Sequence, residues 1–60
     1  MPGFNQSELN SIREMVIAHQ TTASKLSSYS EQCNDAHLKQ MFGQAANQAR
    51  QSAQNLIKML

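Results

Sequence analysis

The stretch Leu26-Ser27-Ser28-Tyr29-Ser30-Glu31-Gln32-Cys33-Asn34-Asp35-Ala36-His37-Leu38-Lys39-Gln40-Met41-Phe42 contains the one strong break in a sequence that otherwise favours helix over most of its length. The break is Asn34-Asp35. Asparagine tolerates the left-handed geometry that ends a helix, and aspartate can cap the helix that follows. Upstream of the break, apolar steps of three and four residues run through Leu9, Ile12, Val16, His19, Ala23 and Leu26, with Cys33 beyond them. Downstream, the same steps run through Leu38, Phe42, Ala45, Ala49, Ala53, Leu56 and Leu60. This spacing keeps one side of each helix turned toward a packing partner, so the pattern predicts an all-α chain.

Working outward from the turn sets the limits of the two helices. Pro2 and Gly3 favour an irregular lead-in over residues 1–7, with Phe4 folding back onto the end of the bundle. Ser7 is the expected N-cap, and Glu8 would then meet the positive end of the helix dipole. Helix one is expected over about residues 8–33 and helix two over about residues 36–60, with Lys58 suiting the negative end of the second. The whole chain, residues 1–60, makes one helical-hairpin domain.

A connection this short forces the helices antiparallel, so residues equidistant from the turn should face each other. Ile12 then faces the Leu56–Ile57 region, Val16 faces Ala53, Ala23 faces Ala46, and Leu26 lies near Gly43. Large residues meet small ones along much of the seam. Gly43 is less favourable than alanine inside a helix by about 1 kcal/mol, so either the facing backbone comes close there or the glycine is simply tolerated.

Two helices of a 60-residue chain cannot enclose a core, because each has only one neighbour against which to bury its stripe. Cys33 is the only cysteine, so no internal disulfide can make up the difference. The apolar stripe is also wider than one contact needs, with Met15, Tyr29, Met41, Ala46, Ile57 and Met59 flanking it. Two copies related by a twofold axis would close an antiparallel four-helix bundle. A homodimer is therefore the expected partner state.

The net charge is +1 and 15% of residues are charged, so no strong field gathers nucleic acid or anionic lipid. The longest apolar run, Met15 to Ala18, is far short of a membrane span, and no secretory leader is legible at the N-terminus. Neither nucleic acid nor membrane is an expected partner. A cytoplasmic location is expected, and a lone thiol agrees with a reducing compartment.

Chemistry-bearing residues are few. Ferritin-like bundles build metal sites from inward Glu and Glu-x-x-His pairs. Here Glu14 lies five residues before His19 and Glu31 six before His37, and no Glu-x-x-His occurs. His19 reads as a partly buried polar residue of the seam and His37 as a solvated one. Cys33 lacks a base, Glu31 nearby opposes a thiolate, and inert packing at the bundle end is expected. Ser27, Ser28 and Ser30 with His37 and Asp35 include the residue types of a hydrolase triad, but common polar residues around a turn carry little specificity. No enzyme, cofactor or metal is expected. Gln40, Gln44 and Gln48, with Gln51 and Gln54 nearby, give helix two an uncharged amide face, either an ordinary solvated surface or one suited to dense packing against other proteins.

Leu26 through Tyr29, followed by Cys33-Asn34-Asp35-Ala36-His37-Leu38-Lys39-Gln40-Met41, resembles the central segment of the spore coat F family and its small relatives. There a helix ends, an Asp-Pro or Asn-Pro step turns the chain, and a Leu-Lys-Gln-Met-like run opens the next helix. The likeness extends over most of residues 8–60, with Ala36 standing where the family often has proline. It implies a ferritin-like helical arrangement, a place in the spore coat beside other coat proteins, and no catalysis. The expected function is that of a non-catalytic structural or interaction protein acting through helix–helix self-association. A regulatory adaptor that captures a partner helix and a degenerate ferritin-like metal binder are the alternatives.

Overall fold

The computed structural model describes residues 3–60 and folds them into two α-helices, α1 (Gln6–Gln32) and α2 (Ala36–Ile57), with no strand among the described residues. The helices pack against each other along their length as an antiparallel hairpin. Met1 and Pro2, the first part of the expected lead-in, lie outside the described residues.

Helix α1 starts two residues before the expected Glu8, because Asn5 rather than Ser7 caps it. The Asn5 side chain accepts the Glu8 N–H at 2.7 Å, and the Glu8 carboxylate accepts the Asn5 N–H at 2.9 Å. This reciprocal box satisfies two amides that a helix start otherwise leaves without partners. Ser7 is an ordinary exposed residue of the first turn. At the other end, Cys33 lies outside the helix as its C-cap, donating its N–H to the Ser30 carbonyl at 3.3 Å.

The turn works differently from the left-handed expectation for Asn34. Cys33 and Asp35 have extended backbones (φ −81°, ψ 131° and φ −83°, ψ 122°), and no described non-glycine residue has a positive φ. Asp35 does cap α2, its carboxylate accepting the Leu38 N–H at 2.8 Å. Helix α2 stops at Ile57 instead of running to Leu60. The Lys58 N–H still reaches the Gln54 carbonyl at 3.1 Å, but the Met59 and Leu60 amides bond Leu56 and Ile57, three residues back, at 3.0 Å each. Such steps tighten and end a helix.

The register is the one that equal distance from the turn predicts. Val16 and Ala53 share one cluster with Ile12, and Phe4 folds back with Leu56 to pack against it. Nearer the turn, Ser30 Oγ donates to the Lys39 carbonyl at 2.9 Å. Buried side chains among the described residues are Ile12, Val16, Ala23, Ala46, Ala49 and Ala53. Ala46, which the sequence places at the margin of the stripe, is 1% exposed, whereas Ala45 is only half-buried. The α2 seam is therefore the row Ala46, Ala49, Ala53. Leu9, His19, Leu26, Phe42 and Leu56 are half-buried, while Leu38 and Leu60, near the ends of the rod, are exposed.

Gly43 does not mark a close backbone approach. A methyl group built there would meet only Ser30 Oγ, at 3.7 Å, an ordinary contact. The hairpin is one helix thick, 47 × 16 × 9 Å along its principal axes. Its radius of gyration is 14.4 Å, where a compact chain of this length has about 10 Å.

Candidate functional site: one apolar face of a flat hairpin

A single layer of two helices has two broad faces, and the sequence makes them unlike. At 100° per residue, with Val16 and Ala49 pointing into the seam, Met15 and Tyr29 of α1 fall on the same side of the layer as Leu38, Met41 and Met59 of α2. All five are exposed. Between them lie the half-buried His19 and Leu26 of α1, Cys33 at its C-cap, and Ala45 and Ser52 of α2. The Tyr29 and Phe42 rings, 5.8 Å apart and tilted, tie this face to the seam near the turn.

The opposite face is polar at its centre. Gln20, Ser24, Arg50 and Gln54 line an open groove of about 270 Å³ floored by Ala23 and Ala53. Arg50 crosses between the helices there, donating from Nη2 to Ser27 Oγ at 2.6 Å. Ile17 and Ile57 stand on this side, at opposite edges of the layer's polar centre. The sequence pattern grouped Ile57 with Met15, Tyr29, Met41 and Met59 as flanking the stripe; its spacing puts it about 160° around α2 from Met41, on the other flank. Ile17 was missed, although its place next to Val16 turns it about 100° away from the seam.

The residues weighed for chemistry take up structural bonds. Ser27 accepts from Arg50, Ser28 accepts from Gln32 Nε2 at 3.5 Å, and Ser30 donates to the Lys39 carbonyl. The Cys33 thiol lies 3.6 Å from the Asp35 carbonyl, and Asp35 itself caps α2. His37 is exposed, and none of these bonds joins it to a serine or to Cys33. Among the described residues, no three histidine, cysteine, aspartate or glutamate side chains come together as a metal ion requires. No helix among the described residues is long and apolar enough to cross a membrane.

Gln40, Gln44 and Gln48 are all exposed, as is Gln51, which bonds Asn55 at 3.0 Å. They line the outer side of α2, at the margin of the apolar face. The arrangement is a thin plate with one greasy side, one polar side and an amide edge. A scan of protein-family models finds no match to the chain, and searches of curated proteins and of solved structures return none.

Proposed function

We propose that the chain is a non-catalytic interaction protein that works by helix–helix self-association, two hairpins closing into a four-helix bundle of ferritin-like architecture. The observation that carries this reading is the mismatch between what the hairpin hides and what it leaves in water. Among the described residues, six apolar ones are buried, four of them alanine, while Met15, Ile17, Tyr29, Leu38, Met41, Ile57, Met59 and Leu60 are exposed. The chain exposes 4556 Å², against about 3,900 Å² for a compact monomer of this mass. A second layer covers that excess.

The likeness of Leu26–Tyr29 and Cys33–Met41 to the spore coat F family supports a place for this association in a spore coat, with other coat proteins as further partners. The amide edge of α2 suits such packing, because glutamines approach closely without charge repulsion. Purified spores should then hold the protein and growing cells little of it; the reverse distribution would contradict the coat assignment.

Association is tested by light scattering and circular dichroism on the same dilution series. Mass and helicity should fall together as the oligomer dissociates, because folding and association are linked by mass action. A fully helical monomer in dilute buffer would overturn the proposal. Leu26→Asp, which puts an unpaired charge beside the seam, should abolish both signals together.

A further inference from the structure

We infer that the second copy docks on the Met15/Tyr29/Met41/Met59 face turn-to-tail, about a twofold axis that crosses the middle of the hairpin at right angles to its helices. This rests on the self-association proposed above and adds the surface and the geometry to it. Size comes first. The 47 × 16 Å outline of the face gives about 750 Å² in projection, beside roughly 800 Å² per partner in a stable interface of ordinary size.

The arrangement follows from the order of residues along the face. On α1 the stripe on this face reads Met15, His19, Thr22, Leu26, Tyr29, with His19 and Leu26 half-buried. Reversed about a point between Gln20 and Thr21, this stripe superposes on itself. Met15 meets the partner copy of Leu26 and His19 meets Thr22, so apolar falls on apolar and polar on polar. On α2 the stripe reads Leu38, Met41, Ala45, Gln48, Ser52, Met59, with Leu56 at its seam edge. Its centre of reversal lies between Gln48 and Ala49, pairing Leu38 with Met59, Met41 with Leu56, and Ala45 with Ser52.

The two centres were found independently, yet the hairpin holds them at one height. Gln20 and Ala49 are equidistant from the turn, as are Val16 with Ala53 and Ser30 with Lys39, which mark the observed register. One axis therefore serves both helices. Turn-to-turn docking lays α1 over α2 of the partner instead and sets Met15 against Ser52 and Asn55. It also brings each Glu8 toward its own copy, whereas turn-to-tail docking brings Glu8 toward the partner copy of Cys33 at the far end.

The test uses the full chain in three forms and one label. Met41 and Ile17 are both exposed in the hairpin, 51% and 62%, so a charge at either leaves the seam intact. Met41→Glu should weaken the dimer at least tenfold in sedimentation equilibrium, and Ile17→Glu, on the opposite face, should leave it unchanged. A spin label on Cys33, the single thiol, should report a pair distance near 40 Å, because turn-to-tail docking sends the two turns to opposite ends of the bundle. Dimerisation that survives Met41→Glu, or that Ile17→Glu disrupts equally, overturns the assigned face. A label distance under about 20 Å overturns the orientation, and both results leave self-association standing. A wild-type chain that stays monomeric overturns the inference together with the reading beneath it.

Discussion

The Tyr29 and Phe42 rings meet near the turn of the hairpin with centroids 5.8 Å apart and planes inclined by 58°. This offset, tilted geometry sets the positive edge of one ring toward the negative face of the other. A double-mutant cycle with Tyr29→Ala and Phe42→Ala should return a coupling of about 1 kcal/mol in urea unfolding at fixed protein concentration. A coupling indistinguishable from zero would mean that the rings are neighbours without interaction.

The caps give a sharper contrast. Asn5→Ala and Asp35→Ala each remove the acceptor of a helix-start amide and should each lower stability by about 1 kcal/mol. Ser7→Ala should fall within about 0.5 kcal/mol of wild type, since Ser7 is an exposed residue inside the first turn. Chemical denaturation of the three variants checks this. A large loss at Ser7 with none at Asn5 would contradict the observed start of α1.

Gly43→Ala is expected to stabilise the protein by about 1 kcal/mol, the difference in helix propensity between the two residues. The added methyl meets only the Ser30 hydroxyl at ordinary contact distance. Thermal unfolding of the variant should show a higher midpoint than wild type. A lower one would show that this part of the seam has no room for a methyl.

Ala46→Leu should do the opposite. Ala46 is 1% exposed and lies against α1 where Ala23, 2% exposed, comes opposite. Extra methylenes in that space push the helices apart, at a cost of about 1–3 kcal/mol. Ala45→Leu, one residue along and half-buried, should be far milder. Comparing the two by denaturant midpoint locates the seam, and equal losses would contradict its placement.

Most of the fold is legible in the sequence because period and turn chemistry are local signals. The three-and-four spacing from Leu9 to Leu26 and from Leu38 to Leu60 predicts two helices, and the brevity of Asn34-Asp35 predicts their antiparallel register. The cap was misjudged where two candidates compete. Asn5 and Ser7 are both good N-caps, and only Asn5 has a glutamate three residues later, so the capping-box spacing carried the information. Gly43 misled because a glycine has two explanations, close approach and mere tolerance, and only the surrounding atoms separate them. The division of the exposed apolar residues into two flanks is set by helical spacing, since Ile57 stands about 160° from Met41 and Ile17 about 100° from Val16. What stayed open is the turn of α2 by about 30° that takes Ala46 into the seam in place of Ala45, which a stripe wider than one contact permits.

The row Ala46, Ala49, Ala53, facing Ala23, has a consequence for how the hairpin melts. Alanine has no rotamers to freeze, so closing this zipper costs little side-chain entropy. It also hides little oily area, and the steepness of a denaturant transition scales with the area that unfolding uncovers. A lone hairpin would therefore loosen gradually over a broad span of urea. A sharp sigmoid would be the signature of a second layer unfolding with the first.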